Sequence, residues 1–246
     1  QTTFNAEGVW IAKAAPNATW MQANIATFTG TAGEISSIEV DSTGNAFVIG
    51  TYQNTATFGS FQMVSRGSSD AFLARLSSSN QWQWALNISG QSTERGYDLE
   101  LDGRGYGVVT GIFSSATTYI GNTTLQASAE EAYVAMFHEN GSWIWVNEAS
   151  AQYAYGRGIA VDGQGGSVAI GYYSSGATFG NHSLTNSGNW DIFVAHMSSD
   201  TDGDSLFDGN DDCFDAAGDS AFDRNGCPDS DGDGYSDQDQ GWTTSD

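Results

Sequence analysis

Proline and positive charge are the scarcest things in this sequence. Two prolines in 246 residues exclude a proline-rich stalk or linker. Seven Lys and Arg stand against 30 Asp and Glu, a formal net charge of −23. A phosphate backbone is repelled by such a chain, which argues against nucleic-acid binding. No apolar run approaches the ~18 residues that a membrane-spanning helix needs. A basic-then-apolar leader is also missing; since the first residue, Gln1, is not an initiator, the expectation is a secretion signal already removed. Catalytic motifs are equally scarce. The three histidines, His138, His182 and His196, stand in no metal-binding H-x-H or H-E-x-x-H spacing. There is no G-x-S-x-G elbow and no cysteine before residue 213, so the expectation is a protein that is not an enzyme.

What is plentiful is glycine, at 31 positions, and aromatic residues, at 13%. With charged residues at only 15%, this composition predicts an all-β chain of short strands and tight turns. The acid is concentrated: residues 200–246 hold 15 of the 30 acids and a single base, Arg224. Two domains are therefore expected, a weakly charged β body over 1–198 and an Asp-rich tail over 199–246.

The body repeats. Ile38-Glu39-Val40-Asp41, Leu99-Glu100-Leu101-Asp102 and Ile159-Ala160-Val161-Asp162 recur at spacings of 61 and 60 residues. Each Asp opens a turn ending at Gly44, Gly105 or Gly165, where a side-chain carboxylate can bond turn amides and Gly takes a positive φ. A second strand follows, Ala46–Tyr52 in the first copy, and then a further turn at Phe58-Gly59, Ile120-Gly121 or Phe179-Gly180. Third strands begin near Ala71, Ala132 and Ile192. Fourth strands carry Trp82-Gln83-Trp84 and Trp143-Ile144-Trp145; a period of two places each Trp pair on one face. These rings are read as packing between sheets, with sugar stacking as the alternative. Val9-Trp10-Ile11-Ala12-Lys13 and Trp20 match strands three and four, so the chain opens with half a unit, runs two full units and closes with three strands of another. That arithmetic gives thirteen strands.

Val-Asp-x-x-Gly-Asn, Gly-Thr-Tyr, Ala-Thr-Phe-Gly and Ser-Ser-Asp-Ala-Phe-Leu-Ala-Arg-Leu together resemble the seven-bladed β-propeller repeat of secreted microbial proteins, over about residues 7–197. The resemblance implies blade-like four-stranded antiparallel sheets and an extracellular surface or structural role. Propellers use ~4–8 blades, more than three repeats and a half repeat supply. Three resolutions stand: a piece of a longer propeller, a compact array closed by its own ends, or a unit completed by strand addition from a neighbouring chain.

The tail carries two D-x-D-x-D-x-x-x-D runs, Asp200, Asp202, Asp204 and Asp208, then Asp229, Asp231, Asp233 and Asp237. Alternate carboxylates in a Gly-containing loop suit a hard cation with 6–8 oxygen ligands. Leu206 and Tyr235 occupy the seventh positions and can ligate only through backbone carbonyls; Asp211 fills the twelfth position of the first loop, and Gln240 that of the second. The pattern resembles thrombospondin type-3 repeats over about 200–240, and the expected cofactor is Ca²⁺, about two ions. The alternative is a solvated acidic tail. Cys213 and Cys227, 14 residues apart, are read as a disulfide made in an oxidising compartment, with free thiols as the alternative. Five glycosylation sequons stand at Asn17, Asn87, Asn122, Asn140 and Asn181. The functional expectation is a secreted, calcium-stabilised structural or adhesive protein whose partners are other copies of itself, end to end. The competing expectation is a carbohydrate-binding module that stacks surface glycans on Trp82 or Trp143.

Overall fold

The computed structural model describes residues 8–30, 33–162, 165–198, 200, 202, 204, 211–213 and 216–237. Among them there is no helix, and seventeen strands form three sheets. The all-β expectation holds; the strand count does not, because two short strands follow the second strand in each full unit and one follows it in the last.

The half unit supplies β1 (Gly8–Ala14) and β2 (Trp20–Thr29). The first full unit supplies β3 (Gly33–Val40), β4 (Ala46–Tyr52), the short β5 (Thr55–Phe58) and β6 (Phe61–Val64), then β7 (Asp70–Leu76) and β8 (Trp82–Gly90). The second gives β9 (Glu94–Leu101), β10 (Tyr106–Phe113), the short β11 (Thr118–Ile120) and β12 (Thr123–Leu125), then β13 (Glu131–His138) and β14 (Trp143–Val161). Strand β14 runs on to become the first strand of the last unit, which continues with β15 (Ser167–Phe179), β16 (His182–Leu184) and β17 (Asp191–Met197).

Strands one to four of the first full unit pair in order as a meander, β3-β4-β7-β8. The short hairpin does not join them. Instead β5 pairs with β2, so the first sheet runs β1-β2-β5-β6. In the same way β11 pairs with β8, and the second sheet reads β12-β11-β8-β7-β4-β3. In the third sheet, β9, β10, β13 and the front of β14 form the second unit's meander, and β15, β16 and β17 continue from it. Each of the two full repeats thus lends a hairpin to the sheet of the unit before it.

Two cores follow from alternating side chains on doubly covered strands. Val48 and Tyr52 of β4 pack with Ala26, Ala56, Phe58 and Phe72 towards the first sheet. Phe47 and Ile49, from the same strand, point the other way, towards Leu99, Val109, Tyr133 and Phe137. That is why every residue of β4 and of β10 is buried. Ring contacts dominate: Phe72 meets Phe58 at 4.9 Å and Phe28 at 6.0 Å, and Phe47 meets Phe137 at 6.0 Å.

Gly50, Gly111 and Gly171 hold one position in the three units. A Cβ there would lie 1.9 Å from the carbonyl oxygens of Glu34, Arg95 and Tyr155 respectively, and against the rings of Phe72, Tyr133 and Phe193. The glycine leaves room for an aromatic side chain from the third strand to lie across the second.

The chain divides into two compact units, residues 1–159 with 169–194, and residues 160–168 with 195–246.

Candidate functional site: turn carboxylates, a groove and the Asp-rich loops

The repeated turn aspartates serve the backbone. Asp41 Oδ1 accepts from the amides of Thr43 and Asn45, both at 2.9 Å. Asp102 Oδ1 accepts from Arg104 at 2.8 Å and Tyr106 at 2.9 Å, and Asp162 Oδ1 from Gly166 at 2.9 Å. Gly44, Gly105 and Gly165 take φ of 84°, 102° and 84°. Asp41 also lies 3.8 Å from the Arg75 guanidinium. The equivalent pair in the last unit is Asp162 Oδ2 with His196 Nε2, at 2.8 Å. This His–Asp pair has the outline of a catalytic dyad. Its place in the repeat identifies it as the counterpart of the Asp41–Arg75 turn clamp.

A second set of carboxylates caps the turn before the third strand, and its first-unit member is buried. Asp70 Oδ2 accepts from the Arg66 amide at 3.0 Å, and the half-buried Asp191 Oδ2 from Ser187 at 2.7 Å, each four residues back. Glu94 Oε1 accepts from the Ser115 amide at 3.2 Å and from Thr118 Oγ1 at 3.1 Å. Burial is the chief reason that the Asp70 carboxyl is pushed up to about 6, with the nearby Glu94 charge adding to it. Burial likewise raises Glu94. Nothing in the sequence pattern marked Asp70 and Glu94, because their sequestration depends on which sheet covers them.

The paired tryptophans do not share a face. Trp82 packs into the first core, 4.9 Å from Phe58, and donates Nε1–H to Asn24 Oδ1 at 3.2 Å. Trp84 packs into the second core, 5.9 Å from Phe47, and donates to the Glu139 carbonyl at 3.0 Å. The correction has a local cause. Leu76 pairs with Trp82 and Arg75 with Trp84, leaving Gln83 as the extra residue of a bulge, and a bulge cancels the strict alternation of a strand. The same irregularity separates Trp143 from Trp145 opposite β13. Trp82 and Trp143 are half-buried, so neither is the fully exposed platform expected for stacking. Trp143 does line an open groove of about 680 Å³ with Trp145, Tyr119, Arg66 and Asn122; Arg66 lies over the Tyr119 ring at 4.8 Å.

In the tail, the carboxylates of Asp200, Asp202 and Asp204 bring one oxygen each to within 4.8 Å of one another, and so do those of Asp229, Asp231 and Asp233. Local turns hold them there. Asp229 accepts from Gly232 at 2.8 Å through Oδ1 and from Gly234 at 2.7 Å through Oδ2; Asp233 accepts from the Tyr235 amide at 2.8 Å. Asp204 Oδ2 accepts from Gly218 at 3.2 Å. Burial, and the charges of Asp204 and Asp200, raise the Asp202 carboxyl, the repulsion that a cation would relieve. Three oxygens of each triad fit a hard cation and leave positions for further ligands. Asp237 is turned to Ser230, whose amide and hydroxyl it accepts, and these bonds lower its carboxyl. Asp211 is buried and accepts from the Cys213 amide at 2.8 Å. Leu206, Asp208 and Gln240 lie outside the described residues.

Cys213 and Cys227 are joined, with Cα atoms 4.9 Å apart, and Cys227 is fully buried. Arg224, the tail's lone base, donates Nε–H to Ser236 Oγ at 3.0 Å, and Asp223 accepts from the Ser236 amide at 2.8 Å. Asn17, Asn122, Asn140 and Asn181 are exposed. Asn87 differs: it is half-buried on β8 and accepts from the Tyr52 hydroxyl at 2.9 Å. No helix among the described residues is long and apolar enough to cross a membrane. No family model matches the chain, and no curated protein matches it.

Proposed function

We propose that this is an extracellular structural or adhesive protein: a propeller-like β body that carries a tail ordered by about two Ca²⁺ ions and that self-associates end to end through strand exchange into filaments. The observation that carries the reading is the convergence of two successive D-x-D-x-D triads beside a disulfide in a segment whose described residues form no helix or strand. Such a segment has little apolar surface to bury, so cross-link and metal supply its order. The Asp200, Asp202 and Asp204 carboxylates, with Asp211, would hold one ion; Asp229, Asp231 and Asp233, with the Tyr235 carbonyl, would hold the other. Bound calcium here neutralises and stiffens, and no chemical step is assigned to it.

Two measurements test the proposal. Calorimetric titration with Ca²⁺ is expected to show about two sites, with Asp202→Asn and Asp231→Asn each removing one, and Mg²⁺ a poor substitute. Negative-stain images are expected to show filaments in millimolar calcium and after chelation alike, because the joint lies in the strands and the ions lie in the tail. Flat titrations and single particles in both conditions defeat the proposal.

A second reading, a secreted carbohydrate-binding module, is favoured by the groove bearing Trp143, Trp145, Tyr119 and Arg66, a mixture of rings and a polar fork suited to a sugar. Quenching of Trp fluorescence by soluble oligosaccharides, lost in Trp143→Ala, supports that reading.

A further inference from the structure

The internal repeat assigns every residue of a sheet to a face. The face that meets the following repeat is its front, and the opposite one its back. Front positions of the first full unit are Ile49 on the second strand and Ala71 and Leu73 on the third, all fully buried against the second unit. Their counterparts in the second unit are Thr110, Ala132 and Val134. Thr110 and Ala132 are buried; a Cβ on Gly156 of the last unit would lie 2.1 Å from Thr110 Oγ1, and the Ile159 amide donates to Asp98 Oδ2 at 3.0 Å. In the last unit the same three positions are Ile170, Ile192 and Val194, and they are 50%, 81% and 70% exposed. The front of the last unit is thus an apolar face of the kind the chain buries twice over. Beside it stand Tyr172, stacked on Tyr155 at 4.8 Å, and Trp190, 5.3 Å from Tyr172.

The opposite shortage exists at the other end. Back positions on the third strand are Phe72, Tyr133 and Phe193, all buried. On the fourth strand they are Trp82 and Trp143, each packed against the preceding sheet. In the half unit these positions are Trp10 and Trp20, 59% and 69% exposed, with their rings edge to face at 6.5 Å.

We infer that the front of the last unit, Ile170, Ile192 and Val194, receives the back of the half unit, Trp10 and Trp20, of a second copy of this chain. The occupant is argued from the molecule's own contacts. Front-to-back packing of successive units occurs three times within the chain, and among the described residues one front and one back stand exposed. The contact is heterologous, so every copy joined leaves one front and one back free. The inference rests on reading the chain as a self-associating subunit, but it places the joint on sheet faces instead of strand edges, with no calcium ligand in it.

Sedimentation velocity of the full 246-residue chain tests it, with Ile192→Asp/Val194→Asp as the front variant and Trp10→Asp as the back variant. All three positions are exposed, and circular dichroism checks that each variant folds. The wild type is expected to form species larger than dimers, with and without chelator. Each variant alone is expected to be monomeric. Their equimolar mixture is expected to stop at a dimer, through the one intact front and the one intact back. Assembly unchanged in both variants overturns the face-to-face joint while leaving strand exchange standing. A wild type that stays monomeric overturns both. Association lost on chelation overturns this joint and moves assembly to the tail.

Discussion

Asp41 and Asp70 show how one residue type divides between two tasks within thirty residues. Asp41 is partly open to solvent, and its bonds to the Thr43 and Asn45 amides and to the Asn45 side chain outweigh burial and lower its carboxyl. Asp70 lies wholly inside, and there burial dominates and raises the carboxyl to about 6. The first task was legible in the sequence, because an Asp two and four residues before turn amides acts locally. The second was not, since burial belongs to the tertiary structure. A consequence in pH follows. With its folded value above the unfolded one of about 4, Asp70 binds more protons folded than unfolded between pH 4 and 6. Its contribution to stability therefore improves as pH falls through 6 towards 4 and is unfavourable above that window. Asp70→Asn keeps an acceptor for the Arg66 amide and removes the buried charge. It is expected to raise stability at pH 7.5 by on the order of 1 kcal/mol, with the gain shrinking at pH 5, as thermal melts at the two values would show. An equal change at both pH values rejects this account.

At the level of strands and hairpins, periodicity located the four long strands of each repeat and the turn at Phe58-Gly59, where Gly59 has φ 59°. It did not reveal where the β5–β6 hairpin goes. Pairing partners are set by register and coverage between distant segments, and nothing local to Thr55–Phe58 names β2. The tryptophan faces were misread for a related reason: a bulge is a property of two strands together, and alternation within β8 cannot report it. The lent hairpin is expected to matter energetically. Phe58 is fully buried and contacts Phe28, Phe72 and Trp82 across two sheets. Phe58→Ala is expected to cost about 3–5 kcal/mol, read as a lower denaturant midpoint. It should also raise amide exchange in β2, whose Ala26 pairs with Phe58, before exchange rises in β13. Uniform loss of protection would show that the hairpin is no special link.

For the molecule as a whole, charge and packing are segregated. Most rings and β-branched residues lie in the repeats, while the tail has a disulfide, Arg224, one ring pair (Phe222 with Tyr235, 5.4 Å apart) and two carboxylate triads. The tail's metal pattern was legible because ligand spacing in a loop is local; the turning of Asp237 towards Ser230 was not. A 14-residue cross-link contributes roughly 3 kcal/mol, so neither staple nor ion alone is expected to account for the tail's order. Reduction or chelation singly should leave the tail partly resistant to limited proteolysis. Both together should release fragments from 200–246 while the repeats remain intact. Simultaneous digestion of both regions would contradict that independence.

The lent hairpins also bear on how such a chain can be lengthened or pulled. Like overlapping tiles, β5–β6 and β11–β12 are laid on sheets whose other strands come earlier in the sequence. A tension applied to the two ends cannot lift one sheet away whole: the overlapping tile must be stripped first, and its own repeat is disturbed with it. For the same reason the segment that can be duplicated or deleted without leaving an orphaned strand begins and ends inside a sheet. Copying one sheet with clean borders would leave a hairpin without its host.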